Sequence, residues 1–560
     1  MKKNHIMSRI FVTAMIKKGY LDLWSMKENT KDARKKNEAL LFHILKRSQN
    51  CEYGKKYGFE NIRTVEDYRK SVPITEYIDY EEYIDRMIEN NEENVITSEK
   101  VIGYAQSSGS VGKRKFVPIT QPDVNMYTKH TVTRMLALAD RYYRRHYGKG
   151  LNPERGMYTG PAYDDFLPNG MVCSNVADVA GRQLGFFYPY FVNVPFRRLF
   201  NVREIDFYYI NTRLALENRE TMFMFAVFFK AISDYLRYLE KNWKQLAEDI
   251  EFGKISSLAK ASPETKEMLE KILEPDPARA QEIRTECAKG FDETIMKRIW
   301  PNMSVISGIG TTTFEPFSRI CRRNTKGVLY DFSIYGASEG LFAACDEIES
   351  EKQLLLVESC YYEFIPTDDK NRILSLNELE VGKEYIILIT NQAGLYRYKC
   401  GDIVKVVGYQ NECPYVVFAR RIGQLLNVTG EKTTEEHMTE VVNQVEKVSG
   451  TRIMDWIVYT DVEHQPNRYV LLMENADGID MKQYQKLAHE VLQKANPRYD
   501  YFVTRGNLDQ ISLGSLKYGS NREYMEKLIA KGIPSTQVKP IRIIDNKEKE
   551  QFFLQRILPD

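Results

Sequence analysis

Apolar and polar residues follow each other along this chain with two different periods, which divide it into helical and strand-forming regions. Residues 1–100 carry apolar side chains at helical spacing between acidic and basic residues. From residue 101 onward, short apolar runs bounded by glycine and other turn residues predict strands, and longer helical segments separate them. This interspersed order of helices and strands predicts an α/β body.

The longest predicted elements of the body are two helical segments. The first runs from Pro122 to about His146 and has proline in its first turn, where the missing N–H is tolerated. The second, a helix or helix pair, spans Leu214 to Ile250. It contains the Met/Phe-rich run Met222–Phe229, which we interpret as buried helix core rather than as a cofactor-binding surface. Strands are predicted at 101–105, 116–119, 170–173, 304–308, 327–335, 354–359 and 384–390.

The pattern changes at Leu395, where short strands and turns follow one another and predict a meander or small β-barrel. We place a domain boundary near Arg420. Beyond it, Thr433–Glu436 forms a capping-box pattern before a helix, and further strands and helices complete a compact α+β segment. The sequence therefore predicts a large α/β domain over 1–419 that includes the small β-barrel, and a smaller α+β domain over 420–560.

Charge and cysteine usage exclude several classes of protein. The 560 residues carry 79 basic and 77 acidic side chains, a net charge of +2, so no overall field favours nucleic acid or an anionic membrane as a partner. The eight cysteines form no CxxC pair and the histidines do not cluster, which argues against a structural zinc site. The longest apolar runs are too short to cross a bilayer. We therefore expect a cytoplasmic protein with reduced thiols.

A loop of small, hydroxyl-bearing and basic residues follows the first predicted strand of the body. It begins with Ser107-Ser108-Gly109-Ser110 and continues to Lys115. Glycine lets backbone N–H groups approach an anion, serine donates hydrogen bonds and lysine supplies charge, so the loop is a candidate phosphate site. It is not a Walker A motif, because Gly109 and Gly112 are too close and Lys113 precedes Arg114 rather than Ser or Thr. A flexible surface turn is the alternative.

Two further segments carry carboxylates next to strand-like runs. Tyr335-Gly336-Ala337-Ser338-Glu339-Gly340 follows an apolar run, so Glu339 is expected at the edge of a sheet, where it can hold Mg²⁺ against phosphate oxygens. Tyr396-Arg397-Tyr398-Lys399-Cys400-Gly401-Asp402 places Asp402 after a glycine, in the turn between two predicted strands. Its two oxygens can accept hydrogen bonds from vicinal hydroxyls such as those of a ribose. The alternatives are a solvent-facing glutamate at a helix N-terminus and an ordinary turn aspartate.

The order of these motifs resembles that of the adenylate-forming superfamily of acyl-CoA ligases and luciferases. It is more closely similar to the auxin-responsive acyl-acid amido synthetase family, in a bacterial-type form. The resemblance spans roughly residues 100 to 545. It is carried by Ser107–Ser110, Tyr335–Glu339, Tyr396–Asp402, the segment Phe418–Glu435, Asn496–Tyr499, Arg505-Gly506, and the tail Gln537-Val538-Lys539-Pro540-Ile541-Arg542.

The resemblance implies an ATP site and a mobile smaller domain. Ser107, Ser108 and Ser110 would hold the ATP phosphates, Tyr335 would flank the adenine and Asp402 would bind the ribose hydroxyls. Glu339 would hold Mg²⁺. Lys432 and Lys539 would be catalytic residues of the smaller domain, with Lys539 acting during adenylation. The implied nucleotide-binding set is Ser107, Ser108, Gly109, Ser110, Tyr335, Gly336, Ser338, Glu339, Asp402 and Arg420.

Some positions depart from the family pattern. Ser110 stands in place of the loop threonine and keeps its hydroxyl, whereas Val111 occupies a position that often carries one. In the tail, Val538 replaces a tyrosine, and Pro540 comes one residue early. The phosphate contacts of the loop and the assignment of Lys539 depend most on these positions.

The resemblance implies ATP-dependent adenylation of a carboxylic acid, followed by transfer of the acyl group to an amine such as an amino acid. The acid pocket is expected within 156–210 and around Gly308 to Phe317. Two other functions fit the same motifs. One is an acyl-CoA or thioester-forming ligase, and the other is a non-catalytic nucleotide or acyl-ligand binding protein of the same fold.

Overall fold

The computed structural model describes residues 5–108, 114–159, 165–194, 205–310, 315–421, 424–475, 480–530 and 540–559. Contacts divide these residues into two compact units. The larger unit comprises 5–107 together with 115–419, and the smaller unit comprises 420–559 together with Ser108 and Arg114.

The larger unit mixes helices and strands throughout its length. Its helices are α1 (His5–Asn29), α2 (Ala33–Ser48), α3 (Glu52–Lys56), α4 (Val65–Ser71), α5 (Glu81–Glu89), α6 (Gln121–His130), α7 (Val132–Tyr147), α8 (Val176–Gln183), α9 (Tyr188–Phe191), α10 (Phe207–Glu217), α11 (Phe229–Phe252), α12 (Pro263–Glu270), α13 (Pro277–Ala288), α14 (Ile295–Ile299) and α15 (Glu315–Cys321). Its strands are β1 (Val101–Ser108), β2 (Arg114–Thr120), β3 (Met157–Tyr158), β4 (Asp165–Phe166), β5 (Val172–Cys173), β6 (Phe223–Phe228), β7 (Val305–Ile309), β8 (Leu329–Asp331), β9 (Ile334–Ala337), β10 (Gly340–Ala344), β11 (Gln353–Leu355), β12 (Tyr361–Pro366), β13 (Glu384–Thr390), β14 (Tyr398–Gln410) and β15 (Cys413–Arg421).

Three sheets organise the described strands of the larger unit. β3, β6, β7 and β8 lie side by side in that order and run parallel. A second sheet has the order β2-β1-β5-β4, and a third has the order β12-β13-β14-β15-β11-β10-β9. The region in which a meander or small barrel was predicted contributes β14 and β15 to this third sheet. The predicted mixed α/β class is confirmed.

The apolar run Met222–Phe229 forms a strand, and its interpretation as buried helix core is wrong. Residues 223–228 form β6, which pairs with β3 on one side and β7 on the other. Phe223 is completely buried and Phe225 almost so. A parallel strand covered on both faces shows a continuous apolar run instead of an alternating one, so its periodicity does not distinguish it from a buried helix.

The single long helix predicted from Pro122 to His146 is divided in two. α6 ends at His130 and α7 begins at Val132, because Thr131 between them has φ −102° and ψ −100°, outside the helical region. The Thr131 hydroxyl donates a hydrogen bond of 2.8 Å to the carbonyl of Tyr127. A threonine hydroxyl that bonds back to the preceding turn competes with the helix ladder, which accounts for the interruption.

A buried ion pair fixes α7 to the parallel sheet. The Arg134 guanidinium on α7 bonds both oxygens of Asp331 at the end of β8, at 3.0 and 2.9 Å. Ser307 on β7 donates a third bond to the same carboxylate at 2.7 Å. All three residues are buried. This network joins the helix to two neighbouring strands and so stiffens the carboxyl edge of the sheet.

The smaller unit is an α+β structure. Its described elements are β16 (Gln424–Leu426), β17 (Thr433–Thr434), α16 (Glu435–Ser449), β18 (Ile453–Asp461), β19 (Arg468–Asn475), α17 (Gln485–Ala495), α18 (Pro497–Thr504), β20 (Ser512–Leu516), α19 (Ser520–Ala530) and α20 (Lys547–Leu554). β19 lies between β18 and β20. The capping box of α16 is formed by Thr434 and His437, one residue later than the predicted Thr433 and Glu436.

Within the described ranges, no helix is long and apolar enough to cross a membrane. All eight cysteines are buried free thiols.

Candidate nucleotide-binding site

A tight hairpin carries the first candidate motif. Tyr335 lies on β9, and Ser338 and Glu339 form the two-residue connection to β10, with Ala337 paired to Gly340. Glu339 is therefore a hairpin residue, and the alternative of a glutamate at a helix N-terminus is wrong. Its carboxylate is held close to the sheet, because only 6% of the residue is exposed.

The second candidate motif forms an irregular stretch within one strand. Lys399 pairs with Leu388, but the next aligned pair is Ile403 with Ile386, so β14 carries extra residues between these two points. Gly401 has φ +81°, a left-handed conformation that glycine adopts at little cost. Two strands with a turn were predicted here, whereas β14 runs without interruption from Tyr398 to Gln410. The bulge turns the backbone locally at Asp402, which is 3% exposed.

The two motifs meet through their side chains. The Tyr335 hydroxyl donates a hydrogen bond of 3.1 Å to Oδ2 of Asp402. The Tyr398 hydroxyl lies 3.5 Å from Oε1 of Glu339, a long contact, and the Asn391 amide donates to the Glu339 carbonyl at 2.7 Å. Each carboxylate is thus contacted by a tyrosine of the other motif, and all four residues are buried. Tyr398 and Asn391 were not among the predicted site residues, although Tyr398 stands inside the motif.

Aromatic packing holds Tyr335 in place. Its ring centroid lies 5.2 Å from that of Phe342 and 5.7 Å from that of Phe418. Because only 5% of Tyr335 is exposed, the ring has little freedom to turn and its hydroxyl stays directed at Asp402. Gly336 and Ser338 lie on either side of Ala337 on the same hairpin and are partly exposed. Phe418 is a further contributor that the sequence did not identify.

The Glu339 carboxylate fits a single-carboxylate magnesium site. Oε2 of Glu339 accepts no hydrogen bond from the part of the chain that the structure describes, and Oε1 has only the long Tyr398 contact. No cluster of three or more potential metal ligands occurs within the described ranges. Mg²⁺ in nucleotide sites commonly uses one or two carboxylates together with phosphate oxygens and water, so this donor set is adequate.

The phosphate-loop candidate lies between β1 and β2. Gly109 and Ser110 are outside the described residues, as are the side chains of Ser107 and Ser108 at the end of β1. At the far end of the loop, the Lys115 ammonium lies 5.1 Å from the ring centroid of Tyr77. The Tyr77 hydroxyl also accepts the N–H of Phe116 at 2.8 Å. These contacts fix the start of β2.

Arg397, in the middle of the second motif, has a structural role, because all its described contacts are with other parts of the chain. It has φ +47° and is 4% exposed. Its guanidinium bonds Glu363 at 2.8 and 3.3 Å and donates to the carbonyls of Arg69 and Val72 at 3.0 and 2.9 Å. Arg397 therefore ties the motif to α4 and to the residue that follows it.

A buried carboxyl also lies in the aromatic region where the acid pocket was expected. Asp178 on α8 accepts hydrogen bonds from Ser174 and Asn175, both at 2.7 Å, and from Tyr158 at 3.2 Å. Burial raises the pKa of Asp178 to about 6, and the bonds from Ser174, Tyr158 and Asn175 oppose this rise.

The remaining predicted residues belong to the smaller unit. Arg420 is exposed near the end of β15. Lys432 is half-buried, has φ +47° and donates its backbone N–H to the Asn427 side chain at 3.2 Å. Lys539 lies outside the described residues.

Family models cover most of the chain in the expected order. The GH3 family N-terminal domain matches residues 23–329, the GH3 family central domain matches 353–421, and the GH3 family C-terminal domain matches 436–548. The chain belongs to the GH3 family. The central-domain match includes the motif Tyr396–Asp402, whereas Tyr335–Glu339 and Lys432 lie in the short gaps between the matches.

Relatives of this GH3 protein carry names of amide-forming enzymes. Indole-3-acetic acid-amido synthetase GH3.8 of Oryza sativa subsp. indica is 26% identical over 537 residues, which cover 90% of this chain and 87% of the relative. Jasmonoyl–L-amino acid synthetase GH3.5 of Oryza sativa subsp. japonica is 26% identical over 561 residues, covering 92% and 93%. The predicted family and the predicted class of enzyme, an amide-forming ligase, are confirmed.

A solved structure supports the fold of the GH3 protein. The AtGH3.15 acyl acid amido synthetase in complex with 2,4-DB superposes with a TM-score of 0.64 at 20% identity, covering 97% of this chain and 96% of that one. At this identity, the similarity shows the fold.

Proposed function

We propose that this GH3 protein is an ATP-dependent acyl-acid amido synthetase. It would activate a carboxylic acid as its adenylate and then pass the acyl group to an amine such as an amino acid. The observation that carries the proposal is the joining of the two motifs, with Tyr335 bonded to Asp402 and Tyr398 next to Glu339. Relatives named indole-3-acetic acid-amido synthetase and jasmonoyl–L-amino acid synthetase, each matching at least nine-tenths of the chain, support it.

Residues of the predicted motifs would bind the nucleotide. Asp402 would accept hydrogen bonds from the ribose hydroxyls, and Tyr335, with Gly336 and Ser338 beside it, would border the adenine. The bond from Tyr335 keeps the Asp402 carboxylate fixed before ATP arrives, which lowers the ordering cost of binding. Ser107, Ser108, Gly109 and Ser110 would hold the phosphates, with Arg420 as a further nucleotide contact.

Glu339 would hold Mg²⁺ through its carboxylate. Bound there, the metal would neutralise negative charge on the phosphate oxygens. The carboxylate has only the long Tyr398 contact and can therefore bind a metal, while the bond from Asn391 to the Glu339 backbone fixes the turn.

The reaction would proceed in two steps. The acid's carboxylate oxygen attacks the α-phosphorus of ATP, giving acyl-AMP and pyrophosphate. The amine nitrogen then attacks the acyl carbon, loses a proton and displaces AMP. Adenylation is needed because a free carboxylate is a poor electrophile towards an amine. Lys539 would stabilise the charge that develops in the first step, and Lys432 would be the second catalytic lysine.

We further propose that the two domains have different roles in the reaction. We assign residues 1–419 to the adenylation domain and 420–560 to a mobile domain that carries both lysines. The partners would be a small carboxylic acid and an amino acid or other amine, with neither nucleic acid nor membrane involved. A cytoplasmic location is supported by the eight free thiols.

The test is carboxylate-dependent exchange of pyrophosphate into ATP over a broad panel of acids, followed by mass spectrometry of products formed with mixed amino acids. We expect exchange with at least one class of acid and a product that has lost one water relative to acid plus amine. A product formed only with coenzyme A would identify a thioester-forming ligase instead. Absence of exchange across the panel would indicate a non-catalytic binding protein.

A further inference from the structure

The loop Asn427–Lys432 of the smaller unit closes around a buried carboxylate. Glu431 is 1% exposed. Its Oε1 accepts the backbone N–H of Val428 at 2.5 Å. Its Oε2 accepts the backbone N–H of Thr429 at 2.7 Å and the Thr429 hydroxyl at 2.8 Å. One side chain thus satisfies two backbone donors of its own loop and determines the loop's shape.

The same carboxylate is attached to the core of the unit. The Tyr469 hydroxyl, on the central strand β19, donates to Oε1 of Glu431 and accepts the Thr433 hydroxyl at 3.2 Å. Tyr469 and Thr433 are completely buried. The loop is therefore joined to the sheet by a hydrogen bond between buried side chains, and the low local dielectric strengthens such a bond.

Two side chains at the start of α18 hold the backbone of the loop from another direction. The Asn496 amide donates to the Glu431 carbonyl at 3.1 Å, and Arg498 donates to the Gly430 carbonyl at 2.9 Å. Gly430 has φ +112°, which a residue with a side chain rarely adopts. The loop has one conformation in which all these bonds are made together.

The residue that this loop presents is Lys432. Its φ of +47° is unusual for a residue with a side chain and costs roughly 1 kcal/mol or more, so it persists only where its neighbours fix it. Glu431 immediately precedes it, and the Asn427 side chain accepts the Lys432 N–H. The left-handed conformation sets the direction in which the lysine side chain leaves the backbone.

We propose that Glu431 is a positioning residue of the amido synthetase reaction, which with Tyr469 fixes the loop that presents Lys432. This inference rests on the proposed function and on the part of Lys432 in it. Glu431 itself is enclosed by its own loop and the core, so it acts on the reaction through the lysine.

The first test compares Glu431→Gln with a matched control, Glu446→Gln. Glutamine keeps the size of Glu431 but replaces one of its two acceptor oxygens by an amide N–H₂, which must then face the donor of Val428 or those of Thr429. Glu446, at the other end of α16, also accepts a backbone N–H, that of Ile453 at 2.9 Å. We expect kcat for amide formation to fall about 10- to 100-fold in E431Q and to stay within about twofold of wild type in E446Q.

A double-mutant cycle with Lys432→Met separates positioning from general destabilisation. If Glu431 acts through the lysine, E431Q/K432M will be no more than about twofold slower than K432M alone. The proposal would be overturned if the rate reductions of the two single variants multiplied in E431Q/K432M, or if E431Q had the wild-type rate. Tyr469→Phe removes one hydroxyl only and should show the same non-additivity, which keeps the test decisive if E431Q does not fold.

Amide hydrogen exchange of the full chain tests the loop without catalysis. We expect faster exchange at Val428 and Thr429 in E431Q and unchanged protection there in E446Q. Equal protection in E431Q and wild type would overturn the inference, whatever the kinetics. If wild type makes no amide at all, the proposed function fails, and the exchange result still decides whether Glu431 holds the loop.

Discussion

The Tyr335 hydroxyl donates a 3.1 Å hydrogen bond to the carboxylate of Asp402, a residue 67 positions away in the sequence. Each residue belongs to a motif that is weak evidence by itself. A hairpin presents the tyrosine and a glycine-containing bulge presents the aspartate, and both are buried. This hydrogen bond joins the two motifs at one place in the structure.

Substituting Asp402 by asparagine should weaken the binding of ATP. The change keeps the size of the side chain and removes its charge, so up to two charge-assisted bonds to the ribose are lost. At about 1.5–3 kcal/mol each when a charge is involved, we expect the KM for ATP to rise about 10- to 100-fold or more. Pyrophosphate exchange kinetics measure the change.

Dideoxy-ATP is the control for the Asp402 prediction. Without the 2′ and 3′ hydroxyls, wild type and D402N should bind this analogue with similar affinity. If D402N discriminates against dideoxy-ATP as strongly as wild type does, Asp402 does not bind the ribose.

Substituting Glu339 by glutamine should impair the metal-dependent step. Glutamine still accepts from Tyr398, but its neutral oxygen is a poorer ligand for Mg²⁺. We expect exchange at saturating ATP to fall on the order of 100-fold, equivalent to about 2.7 kcal/mol, and half-maximal activity to require more Mg²⁺. Glu380→Gln, at an exposed carboxylate paired with Lys383, is the control and should behave like wild type. An unchanged Mg²⁺ dependence in E339Q would contradict the assignment.

Substituting Arg397 by methionine should destabilise the larger unit. The change leaves the Glu363 carboxylate buried with Arg69 as its remaining cation. Breaking one side of a buried pair costs about 3–5 kcal/mol in unfolding free energy. Lys399→Met, two residues along on the same motif, breaks only a partly exposed pair with Glu76 and should cost about 0–1 kcal/mol. Urea unfolding of the two variants should differ accordingly, and equal losses would argue against a structural role for Arg397.

Asp178 should make stability depend on pH. Because its pKa is raised to about 6 in the folded protein, from an ordinary value of 3.8, the folded state holds the proton more tightly than the unfolded state. Its contribution is therefore greatest below about pH 4 and is lost as pH rises towards 6. We expect the unfolding free energy of wild type relative to Asp178→Asn to fall by up to about 3 kcal/mol over this window. A constant difference from pH 4 to pH 7 would contradict the raised pKa.

Much of the fold follows from local patterns in the sequence. The strand predicted at 384–390 has those bounds in the structure, and the four apolar residues Met438, Val441, Val442 and Val445 are buried on α16 as their spacing indicates. The run at 222–229 was misassigned because burial on both faces removes the alternation that identifies a strand. Local periodicity does not show which neighbouring elements cover a strand or a helix.

The sequence predicts candidate residues for the site but not the contacts that support them. Glu339 and Asp402 are predicted from residue type and from their position after strand-like runs. The structural position of Arg397 depends on Glu363 and on α4, which lie far from it in the sequence. The sequence around Glu431 did not indicate its role, although it precedes the predicted Lys432. Its bond to Tyr469 joins residues that lie 38 positions apart.

The central claim, activation of the acid as an adenylate, is tested most directly by isotope transfer. The enzyme is supplied with ATP, Mg²⁺, an amino acid and a substrate acid that carries ¹⁸O at both carboxylate oxygens. Attack of that carboxylate on the α-phosphorus predicts that one ¹⁸O appears in AMP for each amide formed. Label in orthophosphate, accompanied by ADP, would contradict the account, because it would show that the acid attacks the γ-phosphate.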